Sequence, residues 1–301
     1  MAETDPWDEY FIPGTTVLRN LVDVDDAHPH GTTDAARLAD FEARVTLIRM
    51  TELAGRTDVR AETFDDMKAI HRHIFSDVYP FAGEQRTAPV GRPMYKQGVD
   101  VVNFAPDDPA RFNAPMINYP YRPAEVITRA AAKEFGLLAE ANFLRGLPER
   151  EFVPALAERW GRINYVHPFR EGNTRTQFIF FAKLAERAGY RLNTSLFENG
   201  APLRSEFVTA RFYEQATGDP SRLTTVLGKG IKPLDSDRGP TAEEVANLFR
   251  AAFPSPAREI PNQGRQAPKP APEQERESGP EAGLGKRPKG LEGRGSAGPE
   301  L

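Results

Sequence analysis

The stretch HPFREGNTRTQF, residues 167–178, places a histidine, a glutamate, an asparagine and an arginine just before a strongly apolar run. Helical spacing predicts a helix from Asn173 to about Ala188, with Gly189 as its stop. The first turn of a helix carries free backbone N–H groups and the positive end of the helix dipole. Arg175 is therefore misplaced there unless an anion binds. The stretch predicts an anion-binding loop that opens a helix.

The other polar residues of this stretch suit transfer chemistry on a phosphate. Gly172 lets the backbone bend around a phosphate, and Asn173 can cap the helix or donate to an oxygen. Glu171 beside a phosphate indicates Mg²⁺, which favours one or two carboxylates together with phosphate oxygens. An imidazole such as that of His167 ordinarily titrates near pH ~6.5, so it can take a proton from a hydroxyl. Together these residues predict phosphoryl or nucleotidyl transfer, although each one alone fits an ordinary polar turn.

The composition sets limits on the class of protein. The chain has 301 residues with 39% hydrophobic and 27% charged residues, which is typical of a globular protein. No apolar stretch approaches the roughly 20 residues of a membrane helix, and the N-terminus lacks a secretory signal, so we expect a cytoplasmic protein without membrane contact. A formal charge of -4 argues against nucleic acid as a partner. The absence of cysteine excludes disulfides and thiolate metal sites.

Helical spacing of apolar residues runs through most of the chain and predicts an all-α fold. One break, residues 83–106, is rich in glycine and proline; with short extended pieces such as residues 99–104 it predicts a hairpin or loop. Beyond it, helical spacing returns at residues 124–144, 152–163 and 205–216. Two helices are predicted before this break. The first begins with a cap at Asp34 and stops at Gly55, and its apolar face carries Leu38, Phe41, Val45 and Ile48. The second carries Met67, Ile70, Ile74 and Val78 and is ended by Pro80.

The C-terminal part differs in composition. Thr241 and Glu244 form a capping box for a short helix ending near Phe253, which gives a helical appendage at residues 231–254. Residues 255–301 are rich in proline, glycine and mixed charge, with few large apolar side chains. Such a composition cannot form a core, so a disordered tail is predicted.

Residues 167–178 resemble the signature of the Fic (filamentation induced by cAMP) family, His-Pro-Phe-x-Asp/Glu-Gly-Asn-x-Arg-x-x-Arg, up to Arg175. AIHRHIFSDVYPFAGEQRT (residues 69–87) and ERWGRINYVHPF (residues 158–169) are similar to the segments that precede the family's flap and its signature. WDEYFIPGTTVLRN (residues 7–20) is similar to Fic proteins of bacterial conjugation and secretion systems. The resemblance covers roughly residues 8–230, so residues 1–230 are predicted to form a Fic domain.

The resemblance implies an all-α helical bundle with a small β-hairpin flap. It also implies a protein adenylyltransferase that moves AMP from ATP to a Ser, Thr or Tyr hydroxyl of a target protein, as a toxin or effector that a secretion system could deliver to another cell. The flap, placed at residues 87–104, would dock the target by strand addition. The implied site residues are His167 as the base, Glu171 on Mg²⁺, Arg175 on the β-phosphate, Gly172, Asn173 and Thr174 as the anion hole, and Pro168 and Phe169 as anchors of the loop.

Two positions depart from the family pattern. Thr174 replaces a frequent glycine, and Phe178 replaces the second arginine, which in the family orients the γ-phosphate. We predict that Phe178 packs in the core. The missing arginine leaves three outcomes: slow AMP transfer, transfer from another nucleotide, or a binding module without catalysis. TSLFEN, residues 194–199, has the letters of the family's inhibitory motif but lacks its partner arginine, so we interpret it as a chance match. Two alternatives then stay open: a separate antitoxin-like inhibitor protein, or no inhibition at all.

Overall fold

The backbone is mainly helical in the computed structural model, which describes residues 6–198 and 200–234, and the all-α prediction is confirmed there. Short 3₁₀ turns and two small antiparallel β-pairs connect the helices. The elements are α1 (Ala35–Gly55), α2 (Phe64–Phe75), β1 (Tyr95–Gly98), β2 (Ile117–Pro120), α3 (Ile127–Glu140), α4 (Glu149–Val166), α5 (Asn173–Arg187), β3 (Tyr190–Leu192), α6 (Arg204–Thr217), α7 (Ser221–Gly228) and β4 (Ile231–Pro233).

Local capping fixes where α1 and α2 begin. The carboxylate of Asp34 accepts hydrogen bonds from two backbone N–H groups of the first turn, so the predicted cap of α1 is confirmed. A capping box of Thr63 and Asp66, which the sequence reading missed, starts α2. The prediction that α2 runs to Pro80 was wrong, because the helix ends at Phe75. Val78 is still buried, since the turn that follows the helix packs it into the core.

Helices α4 and α5 form the centre of the core and carry the signature loop between them. Trp160 of α4 is fully buried and stacks on Phe181 of α5 with ring centroids 4.5 Å apart. The predicted helix–loop–helix around residues 167–172 is confirmed, with α4 ending at Val166 and α5 beginning at Asn173. The loop is thus held between two buried helices.

The hairpin differs from its predicted position. Strands β1 and β2 are antiparallel, with Lys96 opposite Tyr119, so the second strand lies beyond the predicted flap of residues 87–104. The prediction of an extended piece at residues 99–104 was also wrong, because residues 101–104 form bends and none of the six is in a strand. The carboxylate of Asp100 accepts hydrogen bonds from the N–H groups of Val102 and Asn103, which curls the chain out of a strand.

The C-terminal part of the described chain adds α6, α7 and a second β-pair to the bundle. The helix predicted at residues 205–216 is confirmed as α6, whereas α7 and the pairing of β3 with β4 were not predicted. Strand β4 starts at Ile231, just after the predicted domain limit, and pairs with β3. The helix predicted to end near Phe253 and the tail at residues 255–301 lie outside the described residues.

Candidate active site

His167 lies at the C-terminal end of α4 and has left-handed backbone angles, φ 47° and ψ 62°. Such a conformation is uncommon for a residue other than glycine and needs support from its surroundings. The buried side chain of Arg86 supplies it, since its Nε donates to the carbonyl oxygen of His167 at 2.9 Å. The same guanidinium donates to the carbonyl oxygens of Ala88 and Arg122. Arg86 therefore ties the end of α4 to the segments that flank the hairpin.

The imidazole of His167 is held neutral by its environment. Its ring stacks on Tyr121, which follows β2, with ring centroids 3.7 Å apart. Burial, followed by the positive charges of Arg86, Arg211 and Lys96, lowers the pKa of His167 well below its ordinary value. Nδ1 of the ring is buried and has no hydrogen-bond partner among the described residues. A neutral ring with a free nitrogen can accept a proton.

Asn173 fixes the shape of the signature loop. Its Oδ1 accepts from the backbone N–H of Phe169 at 3.0 Å, and its Nδ2 donates to the carbonyl oxygen of Phe169 at 2.8 Å. Phe169 is buried as predicted and stacks on His71 at 3.9 Å. Gly172, not Asn173, occupies the cap position of α5. The Asn173 side chain is thus engaged with the loop, whereas its backbone N–H has no acceptor among the described residues.

His71 of α2 supports the other end of the loop. Its Nε2 lies 3.0 Å from the carbonyl oxygen of Glu171, and its Nδ1 accepts from the N–H of Gly83 at 2.8 Å. This pattern requires the neutral ring with the proton on Nε2, and burial lowers the pKa of His71 to about 3. His73 contacts Glu52 of α1 and takes no part in this support, with its Nε2 3.0 Å from the Glu52 carboxylate.

Gly172 allows the loop to approach α2 closely. Its φ is +75°, and a Cβ at this position would lie 2.2 Å from Cζ of Phe75. The first turn of α5 follows directly, and the backbone N–H groups of Asn173, Thr174 and Arg175 have no acceptor among the described residues. The helix start at which the sequence predicts anion binding thus has free backbone donors.

Arg175 is held by α1, a contact that the sequence does not predict. Its guanidinium forms an ion pair with Glu42, and its Nη1 donates to the hydroxyl of Thr46 at 3.2 Å. The same group lies over the ring of Phe75 and 3.9 Å from the carboxylate of Glu171. Arg175 and Glu171 therefore lie at the same rim of the loop. Glu42 and Thr46 are four residues apart on one face of α1, but nothing local in their sequence marks them as site residues.

Phe178 is a core residue, as predicted. It is 2% exposed and packs edge-on against Trp160 and face-on against Phe207, with ring centroids 5.8 and 5.5 Å apart. Glu198, from the segment that resembles an inhibitory motif, is buried, and burial raises its pKa to about 8. Neither of its carboxylate oxygens has a hydrogen-bond partner among the described residues.

Arg170, a variable residue of the signature, is enclosed by aromatic rings. The guanidinium of Arg170 lies 4.2 Å from the ring centroid of Trp7, 5.8 Å from that of Tyr10 and 5.2 Å from that of Phe11. Arg170 is itself buried. The N-terminal segment thus closes one side of the loop.

Fold and loop define the class: an all-α protein in which a buried histidine loop opens onto a helix start beside a β-hairpin. A model of the Fic/DOC family matches residues 62–185. The protein adenylyltransferase VbhT of Bartonella schoenbuchensis is 35% identical over 77% of this chain and 40% of its own length. A Sinorhizobium fredii protein named "Probable protein adenylyltransferase y4lH" is 32% identical over 62% of this chain and 79% of its own length. The chain belongs to the Fic/DOC family.

Solved structures agree on the fold. The N-terminal Fic domain of a VirB-translocated Bep effector of Bartonella quintana, with bound ADP, aligns with a TM-score of 0.60 and 22% identity over 75% of this chain and 96% of that domain. The BepC effector of Bartonella tribocorum, with bound AMPPNP, aligns with a TM-score of 0.58 and 18% identity over 76% of this chain and 98% of that one. In the part of this chain that the structure describes, no helix has the length and apolar character needed to cross a bilayer.

Proposed function

We propose that this chain is a Mg²⁺-dependent protein adenylyltransferase that transfers AMP from ATP to a Ser, Thr or Tyr hydroxyl of a target protein. The observation that carries the proposal is the neutral His167 next to the unpaired N–H groups of the first turn of α5. A base and an anion-binding helix start, held a few residues apart by one loop, are what nucleotidyl transfer to a hydroxyl needs. The relatives named protein adenylyltransferases support the same reaction.

The residues then divide the reaction between them. The target hydroxyl oxygen attacks the α-phosphorus of ATP, a new P–O bond forms, and the bond to the β-phosphate oxygen breaks. His167 takes the hydroxyl proton, and pyrophosphate leaves with the electrons of the broken bond. The N–H groups of Asn173 and Thr174 would stabilise the charge on the α-phosphate, and Arg175 that on the β-phosphate. The N–H of Gly172 donates to the carboxylate of Glu171 at 2.9 Å and would join them once that carboxylate turns to Mg²⁺.

Glu171 suits Mg²⁺ in this site. No cluster of three or more acidic or histidine side chains that could hold a metal alone occurs in residues 6–198 and 200–234. A single carboxylate beside a phosphate-binding helix start is the donor set that Mg²⁺ uses when phosphate oxygens and water complete its shell. When bound, the ion would neutralise charge on the leaving phosphates.

The hairpin is the proposed docking element for the target protein. In a two-stranded sheet each strand has one unpaired edge, so an extended target segment can add to it through main-chain hydrogen bonds. The ring of His167 stacks on Tyr121, the residue directly after β2. A hydroxyl on a segment bound to the hairpin would therefore lie close to the base. Delivery as a secretion-system effector is proposed by similarity to the VirB-translocated effectors. Control by a separate inhibitor protein is proposed because residues 194–199 lack the arginine partner of the inhibitory motif.

The second candidate function is an interaction module without catalysis. Phe178 favours it, because the second signature arginine is absent and its position is filled by core packing. Transfer from a nucleotide other than ATP is the third outcome that this substitution leaves. Thermal stabilisation by Mg²⁺ with each of several nucleotides separates these cases, because an interaction module shows no shift with any of them.

The test of transfer uses ATP labelled at the α-phosphate and a cell lysate as the source of targets. We expect label on protein with the unmodified chain and none with His167→Ala. His73→Ala is the matched control, because His73 contacts Glu52 on the side away from the loop and should leave labelling unchanged. Equal labelling by the His167→Ala variant and the unmodified chain would refute the mechanism.

A further inference from the structure

Arg211 of α6 is a buried cation beside the signature loop. It is 8% exposed, and its guanidinium donates to the hydroxyl of Thr174 at 3.4 Å and to the amide oxygen of Asn164. Its Nε is buried without a partner, and no carboxylate among the described residues forms an ion pair with it. The buried carboxylate of Glu214 is close enough to act on Arg211 electrostatically but forms no ion pair with it. A buried guanidinium without a directly paired carboxylate is costly, so the site suits an anionic ligand.

A second cation faces the same place from the hairpin. Lys96 and Tyr119 are cross-strand partners, so their side chains lie on the same face of the sheet. That face packs on α6, because Tyr119 stacks on Phe212 with ring centroids 4.2 Å apart. Burial, and then the charges of Arg211 and Arg204, lower the pKa of Lys96. No described residue forms a hydrogen bond or ion pair with the Lys96 ammonium.

Arg211 occupies the region that a long side chain at position 178 would reach. Thr174 and Phe178 are four residues apart and lie on one face of α5. Side chains on a helix point toward its N-terminus, so a long side chain at position 178 would end near Thr174. The guanidinium of Arg211 is located there, in contact with Thr174 and 5.3 Å from the ring of Phe207, which stacks on Phe178.

We propose that Arg211 and Lys96 form a phosphate subsite beside the signature loop, which holds the terminal phosphate of a nucleoside triphosphate. The nucleotide as occupant rests on the proposed function, whereas anion binding by the two cations does not. The subsite lies next to the unpaired N–H groups at the start of α5, so a polyphosphate chain can extend from one to the other. The charge that position 178 lacks is thus provided by α6 and the hairpin.

Calorimetric titration of the full chain tests the subsite with three probes, ATP, AMP and inorganic tripolyphosphate, in the presence of Mg²⁺. We expect Arg211→Gln and Lys96→Gln each to weaken ATP and tripolyphosphate about tenfold or more, the range for a lost charge-assisted contact. AMP should change by less than about twofold, because it has no terminal phosphate to reach the subsite. Arg222→Gln is the control, since Arg222 stacks on Tyr213 and donates to the carbonyl oxygen of Val101.

The outcomes of these titrations distinguish the phosphate subsite from the proposed function. Equal weakening of ATP and AMP, or unchanged ATP affinity in both variants, overturns the subsite. Tripolyphosphate binding that depends on Arg211 without any nucleotide binding upholds the subsite and overturns the proposed function. Nucleotide binding and transfer that neither substitution affects uphold the proposed function and overturn the subsite. If none of the three probes binds, both are overturned. If Arg211→Gln fails to fold, Lys96→Gln carries the test, because the Lys96 ammonium has no bonded partner to lose.

Discussion

Restoring the family signature by Phe178→Arg should destabilise the protein instead of improving it. Phe178 is 2% exposed between Trp160 and Phe207. Removing a buried phenylalanine forfeits about 1.5 to 3 kcal/mol of apolar burial, and each lost ring pair adds about 0.5 to 1.5 kcal/mol. A buried guanidinium adds several kcal/mol unless it reaches water or an anion. The nearby Arg211 of α6 increases this cost, because its like charge lies against the same face of α5.

We therefore expect Phe178→Arg to lower the free energy of unfolding by at least about 4 kcal/mol, a large part of the 5 to 15 kcal/mol typical of a folded domain. The measurement is urea unfolding followed by circular dichroism, with nucleotide transfer assayed on the same samples. Phe178→Leu is the control for lost volume without charge and should cost about 1 to 2 kcal/mol. An arginine variant as stable as the leucine variant, with faster transfer than the unmodified chain, would refute the reasoning.

Two further predictions concern the loop. Gly172→Ala combines a φ of +75° with a Cβ only 2.2 Å from the ring of Phe75. We therefore expect the free energy of unfolding in urea to fall by at least about 1 to 3 kcal/mol, and transfer to be impaired. Gly14→Ala is the control for backbone strain alone, because Gly14 has φ +79° and open space around it. A loss no larger than that of Gly14→Ala would contradict the close contact. His71 has a pKa of about 3 when folded and near ~6.5 when unfolded, so the unfolded state binds more protons between these values, and stability should fall as the pH drops from about 6.5 toward 3. In His71→Gln, denaturation at a series of pH values should show a shallower fall, and an unchanged slope would show that another group is responsible.

Local patterns in the sequence predicted the parts of the fold that depend on local physics. The start of α5 followed from Gly172 and Asn173, and the cap of α1 from Asp34, because a helix boundary is written in a few adjacent residues. The strands were harder. Those of the hairpin have four residues each and those of the second pair only three, which is too short for an alternating pattern to stand out.

The support of the loop could not be predicted, because its contacts join distant parts of the chain. Arg86 reaches the backbone of His167 across 81 positions, and Arg175 pairs with Glu42 across 133. Each of these partners looks like an ordinary surface residue within its own helix or loop. The burial of Phe178 was predictable, since it needs only an apolar side chain on the inner face of α5, but the presence of Arg211 beside it required the packing of α6.

The ring of aromatic side chains around Arg170 has a consequence for where a working fragment can be cut. The family match begins at residue 62, yet Trp7, Tyr10 and Phe11 enclose an arginine of the signature itself, and Glu42 holds another. A fragment limited to the matched region would keep every residue of the signature. It would lack the aromatic rings that enclose Arg170 and the carboxylate that pairs with Arg175. For this chain the smallest portion worth expressing therefore starts at the N-terminal aromatic segment, not at the border that similarity draws.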